Sequence, residues 1–184
     1  MSADFVSVPK KTPPAFVPPM MAERTKAPFD DADWIFEIKL DGYRAITVFD
    51  AAGKPHLWSR NSLPLEAKFP AISKLKLRST ILDGEVVAVD ENGIPRFQLL
   101  QKFQKQPTAP TLYYVFDILW HDGDDLTRKP LVDRKPVHPV HPLSRGAKAK
   151  LLLKLKRTHR TRHGRFRWHL PADLNQTFRV QSRL

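Results

Sequence analysis

The sequence predicts an α+β domain built on antiparallel sheets. Segments with strand-like composition outnumber helical ones, and hairpin-type turns at residues 50–53 (DAAG) and 90–93 (DENG) separate them. The chain has 184 residues, of which 41% are hydrophobic, so it is long and apolar enough to bury a core.

The strands are predicted from short runs rich in β-branched and aromatic residues. The turn at residues 50–53 joins the second of these runs to a returning strand, and the turn at residues 90–93 ends the fourth. The fifth run contains the letters YYVFDIL and is predicted to be a buried strand. In chain order the predicted strands are residues 34–38, 43–49, 56–59, 80–89 and 112–119.

Helices are predicted in three places. In residues 65–77 the apolar side chains recur at close to helical spacing. Residues 97–104 are predicted to form a short helix with Leu100 and Phe103 on one face. Residues 148–156 could form one basic helix.

Charge divides the chain into two unlike parts. Residues 1–134 contain 18 basic and 18 acidic residues, whereas residues 135–184 contain 13 basic residues and one acid, Asp173, so the net charge of +12 lies in the last part. Such a segment is either a natural basic tail for nucleic acid or an out-of-frame or replaced terminus. We therefore divide the chain into a proline-rich extended lead-in (1–28), a folded domain (29–135) and a poorly ordered basic tail (136–184).

Composition also excludes several kinds of protein. The absence of cysteine excludes disulfides, thiolate metal sites and a cysteine nucleophile. We find no apolar run long enough for a transmembrane helix, nor the continuous apolar stretch of a signal peptide at the amino terminus. We therefore expect no membrane partner and a cytoplasmic location.

The motif that carries the chemistry surrounds Lys39. Residues 37–44 read EIKLDGYR, in which Lys-x-Asp-Gly is followed by Arg44. This segment resembles the nucleophile motif of ATP-dependent DNA ligases, most closely that of the bacterial ligase D type, which acts in end-joining repair. Alone, a short motif of this kind also fits a hairpin with Asp-Gly at its turn.

Four companion segments follow in the order that the family has. Each alone fits an ordinary turn, an edge strand or a core strand, but their order supports the resemblance. They are residues 58–61 (WSRN), 82–87 (LDGEVV), 113–119 (YYVFDIL) and 130–135 (PLVDRK).

The resemblance implies an ATP-grasp-like nucleotidyltransferase (adenylation) core that binds ATP with Mg²⁺ or Mn²⁺. It also implies that the substrate is nicked double-stranded DNA, and that the protein works with end-joining repair proteins near the bacterial nucleoid. Lys39 would attack the α-phosphate and carry AMP; its amine must be unprotonated to do so, and a free lysine titrates near 10.4. Glu85 would bind the ribose or the metal ion, and Phe116 would stack on adenine. The remaining nucleotide-binding residues would be Glu37 near the adenine, and Arg44 and Arg60 at the ribose or phosphates.

The resemblance stops near Lys135. Members of the family continue with a Glu-Gly strand that helps to hold the metal and a Lys-x-Lys strand that contacts the triphosphate, but no glutamate follows Glu91. We therefore expect a core incomplete at its carboxyl end, with only part of the groups that bind the triphosphate. Two alternatives stay open: an inactive ligase remnant with a nucleic-acid-binding tail, and an RNA ligase or capping guanylyltransferase, which share Lys-x-Asp-Gly.

Overall fold

The structure, a computed structural model, describes residues 11–21, 34–103, 109–134, 149–151 and 178–183. In chain order the elements are β1 (Trp34–Ile38), β2 (Tyr43–Phe49), β3 (Pro55–Ser59), β4 (Thr80–Ala88), α1 (Phe97–Phe103), β5 (Thr111–His121), β6 (Asp124–Asp125), α2 (Leu131–Arg134), β7 (Ala149–Leu151) and β8 (Phe178–Arg183). Within these ranges, none of the helices has the length and apolar character needed to cross a membrane.

In the part of the chain that the structure describes, six strands form the central sheet. Its order is β3-β2-β4-β5-β6 with every neighbour antiparallel, and β7 pairs with β5 in parallel. β1 pairs instead with β8 in a separate two-stranded antiparallel sheet. The predicted α+β class with antiparallel sheets is confirmed.

The two faces of the central sheet differ in what they bury. One face, here called the core face, carries the main hydrophobic core, in which side chains from β2, β4 and β5 meet the loop between β3 and β4 and helix α1. Alternate residues point to the opposite face, here called the site face. The site face holds two smaller apolar clusters: one contains Leu40, Val87, Val89, Leu112 and Tyr114, and the other Ile46, Val48, Ile81, Leu119 and Trp120.

Strand β5 is interrupted by an irregularity at the middle of the sheet. Asp83 of β4 pairs with Asp117, and the next residue, Gly84, pairs with Val115. Two residues of β5, Phe116 and Asp117, therefore lie opposite one residue of β4, which is the arrangement of a β-bulge. A second shift of the same kind lies between Ile81 and Leu82.

Most of the predicted elements are observed, but two predicted helices are wrong. The structure has β1, β2 and α1 at or within one residue of the expected bounds, and β3, β4 and β5 close to theirs. Residues 65–77 form turns and one short 3₁₀ segment, Ile72–Lys74, because Pro70 in the middle cannot donate a helical hydrogen bond. The apolar spacing did predict which side chains are buried, since the core contains Leu65, Phe69, Ile72 and Leu75.

The prediction of a basic helix at residues 148–156 is also wrong for the three residues of this segment that the structure describes. Ala149–Leu151 are extended and form β7 beside β5. A strand edge that offers free backbone groups can outweigh the helical preference of a short Lys-Leu run. The rest of that segment lies outside the described residues, as does Gln104 at the end of the helix predicted at 97–104.

Candidate active site

Lys39 directly follows β1 and begins the short loop that leads to β2. The next residue, Leu40, is buried against β4 and β5 in the first of the two site-face clusters. The Lys39 side chain is 41% exposed, and its Nζ lies 3.2 Å from Oδ1 of the exposed Asp41. A buried leucine thus anchors the loop while the amine beside it faces solvent.

Gly42 joins this loop to the sheet at close range. Its N–H donates a 3.0 Å hydrogen bond to Oε1 of the half-buried Glu85. A Cβ at this position would overlap the carbonyl oxygen of Val86. The motif therefore needs glycine because the loop lies against β4, and the Lys39 loop and the Glu85 carboxylate are held together.

Arg44, the last residue of the motif, is buried in an ion pair. Its Nε and Nη2 donate to the two carboxylate oxygens of Asp83 at 2.9 and 2.6 Å, and the two side chains are 8% and 1% exposed. The Arg44 guanidinium also lies 5.1 Å from the centre of the Phe116 ring. Bidentate pairing fixes the plane of the guanidinium, so Asp83 holds Arg44 beside the ring.

The electrostatics of Arg44 favour its charged form. Burial alone lowers the pKa of Arg44, but the hydrogen bonds and the charge of Asp83, with smaller contributions from Glu85 and Asp117, raise this pKa above its ordinary value. Arg44 therefore keeps its positive charge, and Asp83 balances that charge within the pair.

A second buried ion pair lies beside the first. Asp117 Oδ2 is 2.8 Å from Nη1 of Arg134 in α2, and both side chains are almost fully buried. Burial raises the pKa of Asp117 to about 7, and the nearby charge of Asp83 adds to the effect, while Arg134 opposes it. The sequence analysis assigned no role to Arg134 or Asp117, since nothing in residues 130–135 (PLVDRK) indicates a partner on β5.

The structure brings some of the predicted site residues together and leaves others apart. Arg44 and Phe116 are in contact, and Glu85 meets the Lys39 loop through Gly42. Arg60 is exposed and follows Ser59, the strand partner of Ala45, so it lies at the same end of the sheet as Arg44. The side chain of Glu37 lies outside the described residues. Asp83 is the partner of Arg44 that sequence reasoning missed, although it belongs to the quoted LDGEVV segment.

The candidate site offers few ligands for a divalent cation among the described residues. Within the ranges that the structure describes, no three His, Asp or Glu side chains converge as a metal cluster. Mg²⁺ in phosphate-transfer sites is bound through one or two carboxylates together with substrate phosphates. Glu85 alone therefore fits only a cation that arrives bound to phosphate.

A lysine in a Lys-x-Asp-Gly loop lies against an antiparallel sheet, with an arginine and an aromatic ring on the same face, which is the arrangement expected from the resemblance to adenylation-type nucleotidyltransferases. Residues 19–138 match the family model of the ATP dependent DNA ligase domain. The chain belongs to this family, and the resemblance read from its motifs is confirmed.

Individual relatives agree with the family match. The chain is 37% identical over 126 residues to the SPbeta prophage-derived DNA ligase-like protein LigB of Bacillus subtilis, covering 66% of this chain and 46% of that protein. It is 36% identical over 131 residues to the multifunctional non-homologous end joining protein LigD of Pseudomonas aeruginosa, covering 68% and 15%. A solved structure of mycobacterial DNA ligase D complexed with ATP and MES matches 56% of the chain at 28% identity, with a TM-score of 0.48. The chain thus spans less than half the length of these relatives.

Proposed function

We propose that this chain carries the adenylation step of an ATP-dependent DNA ligase. The unprotonated Nζ of Lys39 attacks the α-phosphorus of ATP, a nitrogen–phosphorus bond forms, and the bond to the leaving pyrophosphate breaks. AMP then passes from Lys39 to the 5′-phosphate at a DNA nick, and the 3′-hydroxyl displaces AMP as the strand is sealed. One observation carries this proposal: the anchored Lys39 loop meets Glu85 on the sheet face where Arg44 and Phe116 lie.

The residues of the site have separate tasks in this proposal. The Phe116 ring, with Arg44 beside it, offers a flat surface for adenine, because the π-face of any base can stack on an aromatic side chain. The exposed Arg60 would attract the phosphates, and Arg44, which is paired with Asp83, would contact the ribose. Glu85 and Glu37 would contact the nucleoside, and Glu85 would also hold Mg²⁺ or Mn²⁺. The metal ion, once bound with ATP, would neutralise charge on the phosphates.

The direct test is covalent labelling with ATP carrying ³²P at the α-phosphate. We expect a labelled band on a denaturing gel that requires a divalent cation and is lost in Lys39→Ala. Lys54→Ala is the matched control, since Lys54 is exposed in the β2–β3 turn at the other end of the sheet, and it should keep the label. A wild-type chain that stays unlabelled, or a Lys39→Ala chain that keeps its label, would contradict the proposal.

The substrate and setting belong to the same proposal. We infer that the DNA partner is a nicked duplex and that the protein works in the cytoplasm at the nucleoid. An end-joining role is supported by the name of the Pseudomonas relative, which is a non-homologous end joining protein. Labelling with GTP in place of ATP separates the ligase from a capping enzyme, and we expect ATP to be strongly preferred.

A second function, nucleic-acid binding by the basic segment, has an observation of its own. The whole net charge of +12 lies in residues 135–184. Neutralising DNA phosphates releases counterions, so such binding would weaken steeply with salt and would not depend on Lys39. This function is compatible with adenylation and would supply DNA affinity to it.

A further inference from the structure

Arg134 is a buried cation far in sequence from the Lys39 motif. It closes the short helix α2, is 5% exposed, and pairs through Nη1 with Oδ2 of Asp117 at 2.8 Å. Removing one partner of a buried ion pair leaves an uncompensated charge in a poor solvent, which is strongly unfavourable. The position of Asp117 is therefore tied to α2.

Asp117 is also tied to the backbone that follows the bulge. While Oδ2 meets Arg134, Oδ1 accepts a 2.8 Å hydrogen bond from the N–H of Ile118. Ile118 in turn packs in the main core on the opposite face. One carboxylate thus links helix α2, the strand backbone and the core at a single point.

The bulge places Phe116 and Asp117 side by side on one face of the sheet. In a regular strand Phe116 and Asp117 would lie on opposite faces. Because both lie opposite Asp83, between the core residues Val115 and Ile118, the bulge turns both side chains towards the site face. Phe116 then contacts Arg44, and the charge of Asp117 acts on Arg44 as well.

We propose that Arg134 is a positioning residue for the nucleotide base: through Asp117 it holds the bulge that presents the Phe116 ring, with Arg44 beside it, to the purine. This inference rests on the proposed function, which supplies the purine ligand. Arg134 touches no part of the ligand. Its loss should weaken recognition of the base and leave recognition of the phosphates nearly unchanged, because Arg60 and the Lys39 loop do not depend on α2 in the described contacts.

The test uses the full chain and a fluorescent ATP analogue, displaced by adenosine in one series and by inorganic tripolyphosphate in another. For Arg134→Gln we expect the inhibition constant of adenosine to rise about tenfold and that of tripolyphosphate to change less than about twofold. In the labelling assay the KM for ATP should rise by a similar factor at a nearly unchanged maximal rate. Arg134→Lys, which keeps the charge, should recover part of the loss.

Three further variants keep the test decisive. Arg78→Gln is the matched control, since Arg78 is exposed and lies beside Gly53 in the β2–β3 turn, at the other end of the sheet from Lys39, and it should change neither constant. Asp117→Asn keeps an oxygen for Ile118 and should reproduce the Arg134→Gln effect if that variant fails to fold. The double variant should lose no more adenosine affinity than the worse single one, since both act through one pair.

The outcomes separate this inference from the proposed function. Equal weakening of adenosine and tripolyphosphate in Arg134→Gln, or no change in either, overturns the positioning role. If the wild-type chain binds the fluorescent analogue but takes no covalent label, the proposed adenylation is contradicted. The displacement series still tests the role of Arg134 in that case. A wild-type chain that binds no analogue overturns both.

Discussion

Leu40 is the residue that holds Lys39 on the sheet. It is 7% exposed and packs with Val87, Val89, Leu112 and Tyr114, whereas Lys39 beside it reaches solvent. Truncating a buried leucine removes transfer free energy and leaves a cavity. We expect Leu40→Ala to lower the free energy of unfolding by about 2–4 kcal/mol and to slow covalent labelling of the folded chain.

The matched control for this prediction is Leu63→Ala. Leu63 is 61% exposed, so its truncation should change the free energy of unfolding by less than about 0.5 kcal/mol and leave labelling intact. Urea unfolding and the labelling rate measure the two effects. Equal stability losses in both variants would mean that Leu40 does not anchor the loop.

Asp117 gives the molecule a pH-dependent stability. Burial raises its pKa from 3.8 to about 7, and the charged groups that act on it are Arg134, Asp83 and Arg44. Between these two values the folded chain keeps a proton that the unfolded chain has lost, so this group's contribution to the free energy of unfolding falls as the pH rises from about 4 to about 7. Asp117→Asn cannot titrate and removes that contribution.

The measurement is urea unfolding of the wild type and Asp117→Asn across this pH window. We expect the stability of the wild type, relative to the variant, to fall by roughly a few kcal/mol from the acid to the neutral end. A constant difference between the two proteins would show that the carboxyl group titrates at its ordinary value in the folded state.

At the scale of elements, one hydroxyl joins three strands of the sheet. Tyr113 of β5 is fully buried, and its OH donates to the carbonyl oxygens of Ala45 in β2 and Leu82 in β4, at 2.9 and 3.3 Å. Burial raises the pKa of Tyr113 strongly, so the hydroxyl stays a donor. Tyr113→Phe should therefore lower the free energy of unfolding by about 1–2 kcal/mol.

This loss should leave the nucleotide site unchanged, because Tyr113 points to the core face and Phe116 to the site face. The KM for ATP of Tyr113→Phe, measured well below its unfolding temperature, should equal that of the wild type. A raised KM would show that the two faces of β5 are coupled through the bulge.

The elements were predictable from sequence where local chemistry decides them. Runs of β-formers bounded by the turns at residues 50–53 (DAAG) and 90–93 (DENG) placed β2, β3 and β4 nearly residue by residue. The loop at residues 65–77 was wrongly predicted to be a helix. Its apolar spacing indicates which side chains are buried, whereas Pro70 prevents a continuous helical backbone. The bulge at Phe116 has no sequence signature, since it depends on how β5 meets β4 rather than on any residue of its own.

The sequence predicts the candidate site as a set of motifs but not as a set of contacts. The letters around Lys39 and Glu85 carried the family resemblance, and the family match confirms it. The pairing of Arg44 with Asp83 and of Asp117 with Arg134 joins residues 39 and 17 positions apart, so it follows from strand register and helix docking alone. For that reason Arg44 was assigned only to the ligand, although two of its three guanidinium nitrogens donate to Asp83.

At the scale of the whole molecule, the excess positive charge and the candidate active site lie in different parts of the chain. Residues 1–134, which contain the Lys39 site, have balanced charge, whereas residues 135–184 hold the whole excess. A polyanion should therefore be attracted mainly by the second part, while the first carries the proposed adenylation site. The affinity for DNA and the rate of labelling should then respond to different substitutions.

The prediction concerns the salt dependence of binding to a nicked duplex. Replacing Arg157, Arg160, Arg162, Arg165 and Arg167 by Gln should reduce the slope of log K against log salt by up to about 4, because each phosphate contact contributes roughly 0.9. The same variant should keep covalent labelling of Lys39. The matched control replaces the exposed Lys74, Lys76 and Arg78, and its slope should change little. If the control loses the slope and the arginine variant keeps it, the DNA lies on the sheet domain and the basic segment contributes no phosphate contacts.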